Sequence, residues 1–356
     1  MTAATPPRLT RQVRIDHHSA THLALVAARE LAHALRLPGA GPERAAVLAS
    51  ELATNLDKHA HDGALYLQPL PLGGGLELVA VDRGPGIPDV HAALADGFST
   101  SGTLGGGLGA VRRIADQLTI HSDPGGTLVR ATLAAPDAGP DTAPPPGAVC
   151  LPTGAEGADG ADPAACGDAF AVRDTPAGRT VAVIDALGHG PEAERAALAA
   201  LAAFDADPAL PLRTLLERQH RALRRTRGAA IALLRLTERA AEFAAVGNVR
   251  LVRFGLGRPR AGPPGPPGIV GYTLPRLTVH RLPRVPGETL LLHTDGIHPD
   301  WSGHPARLDP PAEPPTSPVP LPPTSPVPLP PALLAPFLAH RHRRPRDDAT
   351  AVAIPT

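Results

Sequence analysis

The chain has 356 residues and carries 34 Lys+Arg against 34 Asp+Glu, a formal net charge of zero. That balance removes the electrostatic case for nucleic acid or an anionic membrane as the main partner, and the length suits about two domains. With 36 glycines and 45 prolines the chain stands close to the composition of disordered polymers, while 43% hydrophobic residues suffice for packed cores, so folded and unfolded segments should coexist.

Met1–Ser19 is polar and holds Arg8, Arg11 and Arg14 with no apolar stretch behind them, unlike a secretory signal. No apolar run approaches the ~18–20 residues of a membrane-spanning helix. Cys150 and Cys166 are too few for a disulfide framework or a thiolate metal site. The expectation is a cytoplasmic protein.

In chain order, helices are expected over about Ser19–Leu35 and from Pro42, suited to a first helical position, to about Ala60. Strands follow at Ala64–Leu70 and Leu76–Val81, then a glycine-rich loop, Gly102–Gly109, entering a helix through Ala115, then strands near Leu118–His121 and Thr127–Leu133. Helices covering one sheet make an α/β sandwich. A Pro/Gly/Ala linker occupies 135–146 and separates segments 1–134 and 147–356. The second segment predicts strands near Ala148–Leu151, Asp168–Val172, Thr180–Ile184, Ala229–Leu236, Glu242–Val246, Arg250–Phe254, Leu277–Leu282, Thr289–Leu292 and Thr350–Ile354. Helices at Pro191–Ala203 and Leu212–Arg225 complete a β-sandwich flanked by helices. A tandem octapeptide, PPTSPVPL at Pro314–Leu321 and again at Pro322–Leu329, marks a Pro-rich insert over 308–331. It is expected to be extended and exposed, because proline lacks the amide donor and fixes φ.

Glu51, Asn55, Lys58 and His59 fall at i, i+4, i+7 and i+8 and share one helix face. A carboxylate, a carboxamide and a cation together suit a hydrated Mg²⁺ held through oxygen and substrate phosphates. Lys58 is the only lysine of the chain. Asp82-Arg83-Gly84-Pro85-Gly86-Ile87 follows as a strand end running into a turn, where a buried carboxylate can accept from an adenine amino group. Gly102–Gly109 then leads into a helix N-terminus, whose free N–H groups and dipole favour phosphate, and Gly125-Gly126-Thr127 closes the set. Each piece alone is ordinary turn or surface material; the order and spacing of all four are specific. They resemble the N, G1, G2 and G3 boxes of the GHKL ATPase/kinase superfamily, and within it the RsbT-like serine kinases of anti-sigma and stressosome systems. The resemblance covers about residues 10–134 and implies a Bergerat-type α/β sandwich binding ATP. It implies Asn55 as the Mg²⁺ ligand, Glu51 as the base activating a substrate serine and Asp82 as the adenine reader. Gly84 and Gly86 would shape the adenine pocket, Gly105, Gly107 and Gly109 the phosphate lid, and Lys58 and Thr127 would serve the nucleotide.

In the second segment aspartates recur at predicted strand ends: Asp168, Asp185, Asp295, and Asp347 beside Asp348. One Asp-Gly is common hairpin material. Four such sites suit hard divalent ions, which favour clustered carboxylates; a pair of such ions can acidify a water and neutralise a phosphoryl group. The runs CGDAF, VIDALGHG, TRGAAIALL, AAVGNVRLV, LLHTDGI and DDATAVAI resemble the PPM metal-dependent Ser/Thr phosphatases, in their SpoIIE-like and RsbX-like branch, over about residues 147–356. The resemblance implies Asp168, Asp185, Asp295 and Asp347 as ligands to two Mn²⁺ or Mg²⁺, the Ala186 carbonyl completing one site, and metal-bound water as nucleophile. Gly247-Asn248 reads as a structural turn, and His189 as part of the turn with proton donation as its alternative. The roles of Asp347 and Asp348 stay unseparated. Arg341, Arg343, Arg344 and Arg346 read either as a solvated basic stretch or as an attractor for a phosphoprotein.

Together the segments imply an α+β regulator of a partner-switching pathway that adds and removes phosphate on serine or threonine of STAS-domain anti-sigma-antagonist or stressosome proteins. Opposed activities on one chain call for separate control, and nucleotide binding to the first segment is one candidate for the gate. The alternative is an ATP-dependent binding module without phosphoryl transfer, beside a phosphatase segment made degenerate by the proline insert.

Overall fold

The computed structural model describes residues 8–94, 107–134, 144–154, 165–255, 259–299 and 329–356. Its first part runs β1 (Arg11–Ile15), α1 (Ala20–Ala34), α2 (Gly41–His59), β2 (Gly63–Pro69), β3 (Gly75–Val81), α3 (Val90–Ala93), α4 (Gly107–Ile114), β4 (Gln117–Asp123) and β5 (Gly126–Ala134). The strands form one antiparallel sheet in the order β1-β2-β3-β5-β4. The apolar stripes of α1 (Ala24, Ala28, Leu31) and α2 (Leu48, Leu52, Leu56) pack on Leu65, Leu67, Leu78 and Val129 of this sheet. The helices and strands expected here appear within a residue or two, and β1 is an additional edge strand.

The second part runs β6 (Gly147–Leu151), β7 (Asp168–Thr175), β8 (Gly178–Ala186), α5 (Pro191–Asp205), α6 (Leu212–Leu223), β9 (Ala229–Leu236), β10 (Ala240–Val246), β11 (Arg250–Phe254), β12 (Arg260–Ala261), β13 (His280–Pro283), β14 (Thr289–His293), α7 (Pro331–His342) and β15 (Ala349–Pro355). Two sheets, β13-β10-β9-β8-β7 and β12-β11-β14-β15-β6, face each other. Period-2 alternation sorts their side chains. Val181, Val183, Leu234, Leu251, Leu290, Leu292 and Ile354 fill the space between the sheets. Ala182, Ile184, Ile231 and Leu233 turn outward under α5 and α6.

The outer face of the other sheet is covered by α7, and so is the far face of the first sheet. Tyr66, Val79, Val81 and Leu128 share one buried cluster with Val149, Leu291, Ala351, Leu334, Phe337 and Leu338. Both faces of β2 and β3 are therefore buried, which is why they read as near-continuous apolar runs. A buried polar chain runs between the first sheet and β6: Arg130 Nε donates to Glu77 Oε2 at 2.7 Å, Gln68 Nε2 to Glu77 Oε1 at 2.6 Å and to the Ala148 carbonyl, and Thr10 Oγ1 to Gln68 Oε1. Cys150 N closes it by donating to Thr10 Oγ1 at 2.9 Å.

The sequence reading did not predict α7. Residues 332–339 are buried, with Pro331 at the first helical position and Pro336 inside the helix. A helix that is apolar all round leaves no amphipathic period to detect, and Pro336 in its interior argues against it locally. The insert expected over 308–331 accordingly ends differently: Leu329 is buried in the cluster around α7 and Pro331 opens the helix, while 308–328 lie outside the described residues. The strand expected at Leu277–Leu282 is displaced to His280–Pro283. Leu277 turns instead into the α5–α6 layer, where its carbonyl accepts from Arg213 Nη2 at 2.6 Å.

Candidate functional site

Glu51, Asn55 and Lys58 lie along α2, with Glu51 and Asn55 half-buried and Lys58 exposed. Leu48, Leu52 and Leu56 anchor the opposite face in the core, so the polar face is turned away from it. Asn55 Nδ2 is buried with no hydrogen-bond partner. Its amide N–H₂ is thus unsatisfied as it stands, a cost that a bound hydrogen-bond acceptor such as a phosphate oxygen removes. Arg44 holds α2 against the end of α4, donating to the Ile114 carbonyl at 2.6 Å.

Asp82 is 8% exposed and sits just past β3. Its Oδ1 accepts from Gly84 N at 2.7 Å and Thr127 N at 3.1 Å, which leaves Oδ2 for another donor. Burial raises the Asp82 pKa; the two backbone bonds and the charges of Arg341 and His61 pull it back. Gly84 packs against the Asp82 carboxylate and the His59 carbonyl. Gly86 has φ +79°, and a Cβ there would lie 2.1 Å from the Asp123 carbonyl, so only glycine fits. Thr127 Oγ1 pairs with Ser122 Oγ at 3.0 Å, and Ser122 Oγ accepts from Ile87 N at 2.7 Å, closing the pocket floor. Gly107 and Gly109 belong to the first turn of α4; Gly105 lies outside the described residues. A carboxylate oxygen on Asp82, a carboxamide on Asn55 and the glycines that open α4 are group types that suit an adenine nucleotide with its Mg²⁺.

The second constellation is built where strand ends meet. Asp168 opens β7 and pairs in register with Asp185 near the end of β8. Asp295 follows β14, and Asp347 and Asp348 precede β15. Gly296 brings these two loops together: a Cβ there would lie 1.9 Å from the Asp348 carbonyl. Asp168 is buried and accepts from Thr294 Oγ1 at 2.8 Å. Burial and then the Asp185 charge push the Asp168 carboxyl well above the usual range. Asp185 is pushed up to about 7 by burial, then by Asp295, Asp347 and Asp348. Asp347 is raised by burial and by the same neighbours, Asp295 and Asp348. Carboxylates that raise one another in this way form an uncompensated negative cluster, the donor chemistry of hard divalent cations. Among the described residues, no three His, Cys, Asp or Glu side chains already converge on one ion position. By chemistry, oxygen donors grouped at these strand ends fit a hard divalent cation.

Two roles that the sequence left joined now separate. Asp348 is 5% exposed and both its oxygens are taken: Oδ1 accepts from Thr153 N at 2.6 Å and Thr153 Oγ1 at 2.9 Å, Oδ2 from Gly167 N at 2.6 Å. It holds the chain that enters Asp168, whereas Asp347 is half-buried beside Asp295. Ala186, whose carbonyl was the proposed further ligand, ends β8 with its N–H donated to the Gly167 carbonyl at 3.0 Å. Asn248 is more than a turn residue: its Nδ2 donates to Asp295 Oδ2 at 2.9 Å and it lowers Asp185 as well. A lone Gly-Asn carried no signal for this, because the contact joins residues 47 apart in sequence. His189 is exposed on the turn after Asp185. The arginine run is divided: Arg341 Nη2 donates to the Gly125 carbonyl at 2.6 Å and Arg343 Nη2 to the Pro152 carbonyl, while Arg344 and Arg346 are exposed. Cys150 and Cys166 are buried free thiols with sulfurs 4.0 Å apart.

No helix among the described residues is long and apolar enough to cross a membrane. Residues 16–133 match the histidine kinase-like ATPase domain family, and residues 176–356, half of the chain, match the Stage II sporulation protein E (SpoIIE) family. The serine/threonine-protein kinase RsbT of Bacillus subtilis (strain 168) is 39% identical over 118 residues, 31% of this chain and 89% of that protein. Among solved structures, a chain from "The bacterial stressosome: a modular system that has been adapted to control secondary messenger signaling" is 28% identical with a TM-score of 0.45, covering 58% of this chain and 97% of its own. RsbX in complex with magnesium is 19% identical with a TM-score of 0.43, covering 67% of this chain and 98% of its own. The chain belongs to the SpoIIE family through its C-terminal half and carries, N-terminal to it, a histidine kinase-like ATPase domain related to RsbT.

Proposed function

We propose that the chain is a cytoplasmic partner-switching regulator with two phosphoryl-transfer sites. Residues 1–134 form an ATP-binding serine kinase domain and 147–356 a protein phosphatase domain that removes phosphate from serine or threonine. The observation that supports the phosphatase reading is the gathering of carboxylates at adjoining strand ends, Asp168 opposite Asp185 in the β7–β8 ladder and the Asp295-Gly296 turn packed against Asp347-Asp348; burial, and after it the neighbouring carboxylates, raises Asp168, Asp185 and Asp347. Asp168, Asp185, Asp295, Asp347 and the Ala186 carbonyl would hold two Mn²⁺ or Mg²⁺. Bound there, such ions supply Lewis acidity toward a phosphoryl oxygen and an incoming water. The chain's own residues set the site: Asp348 fixes the approach to Asp168, Thr294 orients the Asp168 carboxylate, and Asn248 orients Asp295.

In the first domain Asp82 Oδ2 reads the adenine amino group, Asn55 holds the nucleotide's Mg²⁺, and Glu51, one helical turn before it, takes the proton of the substrate serine. Lys58, Thr127 and the glycines at 105, 107 and 109 contact the nucleotide. The relation to RsbT supports STAS-domain or stressosome proteins as the phosphorylated partners. Glu51→Ala tests the kinase reading: it should abolish serine phosphorylation and spare nucleotide and partner binding. A variant that changes no phosphorylation shows that no transfer depends on Glu51. Asp185→Ala should lose divalent-cation binding and phosphatase turnover together, and retained cation-dependent turnover contradicts the assignment.

A second reading is an ATP-dependent binding module beside a phosphatase segment made degenerate by the proline insert, which stands between Asp295 and Asp347. The same Asp185→Ala comparison separates it, because a degenerate site has no turnover to lose.

A further inference from the structure

The C-terminal end of α7 links the loops of both sites by consecutive contacts. Arg341 Nη2 donates to the Gly125 carbonyl at 2.6 Å, in the turn whose Thr127 N holds Asp82. His340, one residue before, lies 3.7 Å from Asp62, which also pairs with Arg83 next to Asp82. On the other side, the His342 carbonyl accepts from His298 N at 2.7 Å and Arg343 bridges Ile297. Arg344 N donates to the Gly296 carbonyl at 2.8 Å, and Asp347 N to the Arg344 carbonyl at 3.2 Å. Residues 342–347 are thus laid along 296–298, so that Asp295 and Asp347 are placed by one pair of strapped loops.

The helix behind this strap has little room to yield. Residues 332–339 are buried between the first sheet and the β6–β15 sheet, and close-packed interiors move as bodies rather than deforming. The Arg341 guanidinium also rests over the Phe337 ring, 5.3 Å from its centroid, which fixes it to the helix.

We propose that Arg341 is a positioning residue shared by the two sites, through which adenine nucleotide in the Asp82 pocket and divalent cation in the aspartate cluster strengthen each other's binding. The proposal rests on the nucleotide reading of the first site. A nucleotide seated on Asp82 orders the Gly125–Thr127 turn and so secures the Arg341 contact. The secured strap holds Asp347 beside Asp295. Coupling between two sites is reciprocal and typically ~5–150-fold.

The test uses the full chain in two arms. In the first, anisotropy of a fluorescent ADP at fixed Mg²⁺ gives its affinity in wild type, Asp347→Asn, Arg341→Ala and the double variant. Asp347→Asn should weaken ADP binding about 5-fold or more in the wild-type background and leave it unchanged in the Arg341→Ala background. In the second, p-nitrophenyl phosphate hydrolysis is followed against free Mn²⁺ with and without ADP. ADP should lower the Mn²⁺ activation midpoint by a similar factor in wild type and leave it unmoved in Arg341→Ala. Arg341→Met, which keeps the long stem and removes the donor to the Gly125 carbonyl, should give the same result in both arms, so the test survives if Arg341→Ala misfolds. ADP that binds wild type with no shift, or an opposite shift, in the Mn²⁺ midpoint overturns the coupling alone. ADP that does not bind wild type overturns the nucleotide reading and the coupling with it.

Discussion

Asp168 and Asp185 are direct partners across the antiparallel β7–β8 ladder, which places two carboxylates side by side on one face of the sheet. Like charges directly opposite in a ladder are destabilising by up to ~1 kcal/mol, and here burial adds to the penalty. Asp185→Asn should therefore stabilise the cation-free protein by about 1 kcal/mol. It should also forfeit the stabilisation that cation gives wild type, ~2.7 kcal/mol at a hundredfold excess over Kd. Urea unfolding in EDTA and in Mg²⁺ measures both. Because burial raises the Asp185 pKa from 3.8 to about 7, the protonated carboxyl stabilises the cation-free wild type at low pH, and that contribution should be lost as pH rises from about 4 through about 7.

His340 gives a pH response of opposite sign. Burial pushes its pKa down to about 4 from 6.5, so the folded state favours the neutral ring. Its contribution is complete above pH 6.5 and is lost as pH falls toward 4, on the order of 2 kcal/mol at pH 5. His340→Gln should flatten the urea midpoint between pH 5 and 7.5 relative to wild type.

The buried Glu77–Arg130 pair, 0% and 2% exposed, is joined to β6 through Gln68. Arg130→Ala leaves Glu77 buried without its cation and should cost ~3–5 kcal/mol. Chemical denaturation checks this, and a loss under 1 kcal/mol contradicts the pair's role in joining the sheets.

Asp347 and Asp348, adjacent in sequence, should behave differently. Asp348→Ala orphans Gly167 N and Thr153 N, a penalty of ~1–3 kcal/mol for each buried group left unmatched, and should lower the unfolding midpoint. Asp347→Asn should leave that midpoint within about 0.5 kcal/mol while weakening cation binding.

Asp82→Asn replaces the acceptor proposed to read adenine. Charge-assisted hydrogen bonds contribute ~1.5–3 kcal/mol, so nucleotide affinity should fall by about 10–150-fold, measured by anisotropy of a fluorescent ADP. Glu51→Ala should leave that affinity unchanged.

The parts of this molecule legible in sequence were those governed by local pattern. The stripes of α1 and α2 and the alternation of β8 and β9 predicted their elements closely, because each buries its apolar face in the expected way. The aspartates stood out because they end strands. α7 did not, since a helix buried on every side shows no period, and its burial depends on a sheet that ends about 200 residues earlier. Asn248 and Arg341 were missed or misread for the same reason: each acts on a carboxylate or carbonyl distant in sequence. The separate tasks of Asp347 and Asp348 depend on which way each side chain points, which spacing does not encode.

The central claim is that one chain carries a cation-dependent phosphatase site beside its ATPase domain. The most direct measurement is release of phosphate from a phosphoserine STAS-domain protein by the full chain, with Mn²⁺ and with EDTA, in wild type and Asp185→Asn. The account predicts turnover by wild type in Mn²⁺ and its loss both in EDTA and in Asp185→Asn. Turnover that persists in EDTA or in the variant contradicts it.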